Sequence, residues 1–168
     1  VTNAIGLDSR IGNKYLKGAA PYGGPCFPRD TRALDALYAD LGLGCSLSTA
    51  TDKSNKNHIQ FIASHVSSSA GKDKKIGIAG ISYKTGTPVT EESPGLAIAK
   101  ELAEIGHEII AWDDEGASSG DENVPVVETN EFLDKSEFVL ISRPILDMNF
   151  KELLRKKSIP YLDLWRQI

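Results

Sequence analysis

Cys26 lies in a segment of unusual composition, KGAAPYGGPCFPRD, which spans residues 17–30. A cysteine thiolate is a strong nucleophile, although a lone cysteine is more often a small buried apolar residue. Gly23 and Gly24 lack side chains and allow the backbone to approach a ligand closely. The surrounding prolines limit the flexibility of the segment: Pro21, Pro25 and Pro28. This combination predicts a nucleophile in a stiff loop that faces a substrate.

Asp30 follows the cysteine at a position where a helix is expected to begin. Aspartate is a favoured N-cap residue, so we expect Asp30 to cap that helix. The positive end of a helix dipole favours the thiolate form of a nearby cysteine. The pattern therefore indicates that Cys26 is poised for nucleophilic chemistry.

Two apolar stripes indicate helices in the first part of the chain. Their residues recur at spacings of three and four: Leu34, Leu37, Tyr38 and Leu41 in the first, and Ile59, Ile62, Ala63 and Val66 in the second. Gly42 is expected to end the first helix. The polar residues 67–75 are typical of a linker or exposed loop. We therefore expect a mostly α-helical segment over residues 1–70, which carries the cysteine.

In the second part of the chain, short apolar strands alternate with helical stretches, which is typical of a parallel sheet covered by helices. The predicted strands are KIGIAGI, HEIIAW, EFVLIS and IPYLDLW, with VPVVE as a weaker fifth. The helix after the first strand has Ser93 as its cap, Pro94 in its first turn and Gly106 at its end. A second helix is expected to begin at Asp147. The predicted fold class is thus α/β, with the helical segment followed by a Rossmann-like parallel-sheet domain over residues 71–168.

The sequence around the first strand departs from that of a dinucleotide site. Its glycines lack the GxGxxG spacing, and about a dozen residues separate Gly80 from the helix at Pro94. A pyrophosphate site requires a glycine turn that leads directly into a helix N-terminus. Glu91 and Glu92 also lie where an anionic ligand would approach. We therefore interpret Asp113 as an ordinary turn residue at the end of the second strand.

The composition excludes several classes of protein. The 168 residues are 40% hydrophobic and 25% charged, which is ordinary for a globular protein. The net charge of −4 gives no basic footprint for nucleic acid, and no apolar run approaches the ~20 residues of a membrane span. The start of the chain does not resemble a signal peptide, and two cysteines, Cys26 and Cys45, are few for a secreted scaffold. We therefore expect a cytoplasmic protein with reduced thiols that binds neither nucleic acid nor membrane.

Two segments of the sequence are similar to the UDP-glucose/GDP-mannose dehydrogenase family. The first, AIGLDSRIGNKYLKGAAPYGGPCFPRD at residues 4–30, resembles the active-site segment of that family and is closest to its UDP-glucose 6-dehydrogenase branch. The second, KIGIAGISYKTGTPVTEESPGLAIAKEL at residues 75–102, is similar to the start of the family's C-terminal nucleotide-sugar domain. The resemblance extends from Ala4 to Leu164.

The resemblance implies an oxidoreductase that converts the C6 alcohol of a UDP-hexose to a carboxylate with two NAD. An aldehyde forms first, and it does not readily release a hydride until a nucleophile adds to it. In the family, a cysteine thiolate adds to give a thiohemiacetal, which is oxidised to a thioester that water hydrolyses. By resemblance, Cys26 is this nucleophile, and Asp30 activates the water or stabilises the charged intermediate.

The resemblance also implies the groups that bind the substrate. They are Arg10, Tyr15, Lys17, Tyr22, Gly23, Gly24, Tyr83 and Lys84. Arg10 matches an arginine that reaches the substrate of a neighbouring subunit, which implies a homodimer formed through the helical segment. Lys84 belongs to the second half, so the nucleotide sugar is expected to bridge the two halves. The family binds NAD mainly in a domain without a counterpart in this sequence, so we expect no catalysis by this chain alone.

Several positions depart from the family pattern and keep other interpretations open. The departures are Pro21 for glycine, Pro25 for serine, Arg29 for lysine and Glu91 for arginine. The closing segment DLWRQI matches only loosely, so Arg166 is a weak candidate for a site residue. A catalytically silent module that binds nucleotide sugars or mediates assembly is the alternative function. A hydrolase is disfavoured, because His58, His65 and His107 lie on helix or strand patterns.

Overall fold

The computed structural model describes residues 1–14, 16, 18–44 and 46–166. Its helices are α1 (Thr2–Ile5), α2 (Phe27–Asp40), α3 (Ser46–Ala70), α4 (Pro94–Ile105), α5 (Thr129–Lys135) and α6 (Met148–Lys157). Its strands are β1 (Lys75–Ala79), β2 (Glu108–Trp112), β3 (Phe138–Ile141) and β4 (Tyr161–Asp163). Helices therefore form the first part of the described chain, and strands alternate with helices in the second part.

α3 is the longest of the described helices, and one side of it is buried. The predicted stripe of Ile62, Ala63 and Val66 lies in the core, because an amphipathic helix gains stability by burying its apolar face. The helix continues to Ala70. The prediction of a linker from residue 67 was therefore wrong, and residues 71–74 form the connection to β1.

The apolar stripe of α2 remains accessible in the described chain. Leu34, Leu37 and Leu41 are 45%, 52% and 63% exposed. The spacing of these residues correctly predicted a helix, because residues three and four apart lie on one helical face. Burial of that face depends on a partner surface, which the periodicity does not specify.

The four-stranded sheet has the order β2-β1-β3-β4, and every neighbouring pair is parallel. Ile76 pairs with Ile109 on one side and with Phe138 on the other, so β1 is a central strand. Strands buried on both faces have mostly apolar sequences, as β1, β2 and β3 do. The predicted α/β class with a Rossmann-like sheet is confirmed. The weaker fifth strand was wrong, because Val126 forms an isolated bridge with Ala111.

Side-chain caps define the starts of two helices that cover the sheet. The Ser93 hydroxyl oxygen accepts a hydrogen bond from the Leu96 N–H at the start of α4, and Gly106 ends that helix with a φ of 110°. The Asp147 carboxylate accepts hydrogen bonds from N–H groups in the first turn of α6. Both predicted helix starts are confirmed. The seven-residue α5 is not predicted from the sequence, and its N-cap residue makes no side-chain capping bond.

The sheet separates two apolar clusters, because successive side chains of a strand point to opposite faces. Ile76 and Ile78 pack on one face with residues of α3 and α4. On the other face, the rings of Trp112 and Phe150 are stacked, with 4.1 Å between their centroids. Since α3 contributes to the first cluster, the helical segment is anchored to the sheet through its longest described helix.

Replacement of the fully buried Phe150 by alanine is expected to lower the free energy of unfolding by about 3 to 5 kcal/mol, because it removes a stacked ring and leaves a cavity. Phe61 is the matched control, since it is 67% exposed on α3. Phe61→Ala is expected to change the same quantity by less than about 1 kcal/mol. Urea unfolding followed by circular dichroism measures both, and equal losses would contradict this assignment of the core.

Candidate functional site

Cys26 lies at the start of α2 and is exposed. It is the N-cap residue, and its carbonyl oxygen accepts the Asp30 N–H at 2.8 Å. The prediction that Asp30 caps this helix was therefore wrong, because the helix begins at Phe27 and Asp30 lies in its first turn. An anionic atom beside Cys26 meets the positive end of the helix dipole and N–H groups that have no partner within the helix.

The Asp30 carboxylate is bonded to the neighbouring Arg29. The Arg29 Nε–H donates to Asp30 Oδ1 at 2.8 Å, and both side chains are largely exposed. This hydrogen bond raises the pKa of Arg29. The Asp30 carboxylate is therefore close to the thiol in the sequence, but one of its oxygens is occupied by Arg29. Arg29 is one of the residues that depart from the family pattern.

The two glycines before the thiol bring the loop into contact with the second half of the chain. Gly24 has a φ of 87°, and a β-carbon on it would lie 2.5 Å from the Tyr83 ring. A β-carbon on Gly23 would lie 2.2 Å from the Glu92 carbonyl oxygen. Larger residues are therefore excluded at both positions. The missing side chains make room for Tyr83 and Glu92. The glycines thus have a structural reason in addition to the expected close approach of the backbone to a ligand.

Tyr22 joins the same loop to α3. Its N–H donates to Asn55 Oδ1, and its carbonyl oxygen accepts from Asn55 Nδ2, each at 2.9 Å. The Tyr22 ring meets Phe27 edge to face, with 6.4 Å between the centroids. In the described chain the Tyr22 hydroxyl oxygen is buried without a hydrogen-bond partner. A buried hydroxyl in this state costs free energy unless a ligand or water satisfies it.

Glu92 contacts both the loop and α2. Its carbonyl oxygen accepts the Gly24 N–H at 3.3 Å, and its Oε1 accepts from Arg32 Nη2 at 2.8 Å. The hydrogen bond with Glu92 raises the pKa of Arg32. Glu92 has a φ of 50°, a conformation that costs free energy in any residue except glycine. The contacts with Gly24 and Arg32 therefore hold Glu92 in a strained backbone conformation.

These contacts border a cleft of about 550 Å³ between α3 and the start of α4. Its lining includes Tyr22, Asn55, Glu91, Glu92 and Lys100. This volume is within the range of small-molecule sites, and the lining mixes a ring, an amide and both signs of charge. The cleft therefore has the size and mixed lining of a small-molecule site and lies next to the cysteine loop.

Lys84 is exposed, and its Nζ lies 5.3 Å from the centre of the Tyr83 ring. Because Tyr83 contacts Gly24, predicted substrate residues from the two halves of the chain lie together. Three residues singled out in the sequence lie outside the described residues: Tyr15, Lys17 and Cys45.

Arg10 lies on the surface after α1. Its Nε–H and Nη2–H groups donate to the two carboxylate oxygens of Asp8, at 3.0 and 2.6 Å. The hydrogen bonds with Arg10 lower the pKa of Asp8. The Arg10 side chain is 87% exposed, so it is accessible to another molecule.

A buried ion pair occupies the end of β2. Arg143 Nη2 donates to Asp113 Oδ1 at 2.9 Å, and Asp113 Oδ2 accepts the Ser82 N–H at 2.7 Å. Asp113 is thus a buried ion-pair partner and more than the turn residue that the sequence predicts. At the start of α4, Pro94 has no N–H, and the Leu96 N–H is already bonded to the N-cap hydroxyl. These residues offer fewer free N–H groups than the glycine turn and helix start of a pyrophosphate site.

The histidines have other partners. His107 is buried, and its ring nitrogens are bonded to Ser67 Oγ at 2.8 Å and to a backbone carbonyl at 3.1 Å. His58 and His65 flank Phe61 on α3. These contacts explain the positions of all three histidines, so no role in chemistry at the thiol needs to be assigned to them.

Within the described ranges, no group of three or more His, Cys, Asp or Glu side chains is arranged to hold a metal ion. None of the helices described is long and apolar enough to cross a membrane. The weak candidate Arg166 is exposed and follows β4.

Asn55 and Arg32 belong to the surroundings of the thiol but are not predicted from the sequence. Both lie on helices among other polar residues. A polar residue that bonds a distant loop has the same sequence pattern as one that faces water. Of Asn55, Arg32 and Glu92, only Glu92 is marked in the sequence. It belongs, with Glu91, to a pair of like charges just before a helix start.

Comparisons with known proteins agree with the resemblance seen in the sequence. Residues 1–57 match the model of the UDP-glucose/GDP-mannose dehydrogenase family, central domain. The UDP-glucose 6-dehydrogenase of Rhizobium meliloti is 35% identical over 119 residues, which cover 69% of this chain and 27% of that protein. The enzyme of that name from Rickettsia conorii is 34% identical over 128 residues, 74% of this chain and 29% of the relative. The chain therefore spans less than a third of the length of these curated relatives.

Solved structures are similar over nearly the whole chain. A UDP-glucose dehydrogenase from Pyrobaculum islandicum has a TM-score of 0.78 at 26% identity, covering 98% of this chain and 39% of that one. A GDP-mannose dehydrogenase from Pseudomonas aeruginosa has a TM-score of 0.75 at 24% identity, covering 96% of this chain and 40% of that one. At that identity the second likeness shows the fold alone.

Gly24→Ala is expected to lower the free energy of unfolding by about 2 to 4 kcal/mol, because the new methyl group overlaps the Tyr83 ring and alanine disfavours a φ of 87°. Gly12→Ala isolates the backbone contribution, since Gly12 has a φ of 71° and no atom within 4 Å of a β-carbon. That control is expected to cost about 1 to 2 kcal/mol. Urea unfolding measures both variants. Equal losses would show that the contact with Tyr83 contributes nothing.

Proposed function

The chain belongs to the UDP-glucose/GDP-mannose dehydrogenase family, and we propose that it is the part of a nucleotide-sugar 6-dehydrogenase that supplies the nucleophile and binds the nucleotide sugar. The position of Cys26 carries this proposal: the thiol is exposed at a helix start, in a loop packed against Tyr83. A cysteine with only a structural role is usually buried. The proposed reaction oxidises C6 of a UDP-hexose from an alcohol to a carboxylate.

The nucleotide sugar would lie across the contact between the two halves. Its proposed ligands are Arg10, Tyr15, Lys17, Tyr22, Gly23, Gly24, Tyr83 and Lys84. The exposed ammonium group of Lys84 suits a diphosphate.

Cys26 would act on the aldehyde formed by the first oxidation. Its thiolate adds to C6, and the carbonyl oxygen takes up a proton to give a thiohemiacetal. After the second oxidation, C6 is held on the sulfur as a thioester. Water then adds to the thioester carbonyl, the C–S bond breaks, and the carboxylate and the thiol are released. NAD is the hydride acceptor that the family resemblance implies. The residues at the end of β1 lack the glycine turn into a helix start that binds its pyrophosphate.

Asp30 is the proposed group that activates this water. Residues four apart are neighbours on a helix surface, so Asp30 lies on the side of α2 where Cys26 begins the helix. The hydrogen bond from Arg29 orients the carboxylate. The same bond favours a second candidate function, a catalytically silent module, because it occupies an oxygen of the proposed base.

We also propose a homodimer formed through the helical segment. Leu34 and Leu37 on α2 and Leu41 at its end are exposed at helical spacing, and an exposed apolar stripe is typical of an interaction site. Arg10 is exposed on the same segment and is available to a neighbouring subunit.

Iodoacetamide is expected to alkylate Cys26 at least about fivefold faster than Cys45, and UDP-glucose is expected to slow the reaction at Cys26 only. Peptide mass spectrometry of timed samples gives both rates. ADP-glucose, which has the same sugar and diphosphate but another base, is the control ligand. Equal rates at the two thiols, with no protection by UDP-glucose, would refute the assigned nucleophile and favour the silent module.

Leu37→Asp is expected to convert the dimer to a monomer, because it places two carboxylates in an apolar contact. Size-exclusion chromatography with light scattering measures the mass. Leu146→Asp is the control, since Leu146 is 67% exposed in the sheet half. A parent chain that is monomeric at high concentration would contradict the proposed dimer.

A further inference from the structure

The segment from Tyr22 to Gly24 is held by two residues that lie far from it in the sequence. Asn55 of α3 binds both the N–H and the carbonyl oxygen of Tyr22. Glu92, just before α4, accepts the Gly24 N–H with its carbonyl oxygen and is held in place by Arg32. Both contacts are made to main-chain atoms of the loop, so they fix its path and not a particular side chain.

Such restraint matters because the loop has a flexible glycine pair between two conformationally restricted prolines. Pro21 and Pro25 have fixed φ angles, whereas Gly23 and Gly24 between them have the widest conformational freedom of any residue. Asn55 and Glu92 act on either end of this compliant pair. A displacement there is expected to move the thiol, because the fixed φ of Pro25 leaves fewer backbone rotations between Gly24 and Cys26 to absorb it.

We propose that Asn55 and Glu92 are positioning residues that fix Cys26 relative to Tyr83 and Lys84 by clamping the main chain of residues 22–24. This inference rests on the proposed function, since it assigns the clamp to the same substrate site. Neither residue needs to contact the reacting atoms. Glu92 is part of the segment that leads into α4, so its contact with Gly24 fixes the position of the loop relative to the sheet half.

The strained backbone of Glu92 supports a role beyond simple stability. Its φ of 50° is unfavourable in a residue other than glycine. Its partner Gly24 lies on the cysteine loop, and its partner Arg32 lies on α2, the helix that follows the loop. The strain is therefore maintained at the point where the two halves of the proposed site meet.

Asn55→Ala is expected to raise the concentration of UDP-glucose that halves Cys26 alkylation by about tenfold, because two hydrogen bonds to the loop are lost. Asn57→Ala is the matched control, since Asn57 is an exposed asparagine on the same helix. Asn55→Asp keeps the acceptor for the Tyr22 N–H but places a carboxylate oxygen against the Tyr22 carbonyl oxygen, so a rise at least as large as that of Asn55→Ala is expected. Thermal unfolding of each variant identifies the temperature range in which all are folded.

Glu92 is tested with Arg32 in a double-mutant cycle. Glu92→Gln and Arg32→Gln are each expected to raise the same concentration by about threefold, and the double variant is expected to do so by no more than either single variant. Full additivity would show that the ion pair does not act on the loop.

The outcomes separate this inference from the proposed function. A parent chain whose Cys26 is not protected by UDP-glucose overturns the proposed function and the inference that rests on it. A protected parent, with Asn55→Ala and Asn57→Ala indistinguishable from it, overturns the inference alone. If Asn55→Ala does not fold, the Asn55→Asp variant is used to test the inference. If UDP-glucose halves Cys26 alkylation in that variant at the same concentration as in the parent, the inference is overturned.

Discussion

The approach of Gly24 to Tyr83 is the constraint on which the arrangement of this protein depends. A side chain at position 24 would overlap the Tyr83 ring, and a side chain at position 23 would overlap the Glu92 carbonyl oxygen. The backbone of the cysteine loop can therefore lie directly on the segment between β1 and α4 only because both residues are glycines. This contact joins a helical segment and a parallel sheet at the place where the thiol is exposed.

The same geometry relates local structure to the proposed chemistry. Cys26 ends the loop and begins α2, so the sulfur is placed by the loop on one side and by a helix on the other. A helix start offers N–H groups without internal partners, which suits a site where negative charge develops on oxygen. The Arg29–Asp30 hydrogen bond is the feature of this surface that argues most strongly for an altered activity, because it engages the proposed base.

The sheet half resembles a dinucleotide-binding domain in topology but differs from one in the segment that follows β1. The crossover from β1 to α4 is long, and it carries Tyr83, Lys84 and Glu92 toward the helical segment. The acidic residue at the end of β2 is buried against Arg143 and is not accessible to a ligand. A Rossmann-like sheet therefore serves here as a rigid platform for the loop that meets the cysteine.

The sequence alone determined the class of fold, because parallel strands and amphipathic helices follow from local apolar patterns, as at Ile76 and Val66. It also singled out Cys26 as the candidate nucleophile, because this cysteine stands among glycines and prolines in a specific motif; that role stays a prediction. It did not predict the Asn55 and Arg32 contacts, the buried Asp113–Arg143 pair or the helix start at Phe27. Those were decided by the tertiary structure, because hydrogen bonds and close contacts between distant segments depend on which surfaces meet, and no periodicity within a segment encodes its partner.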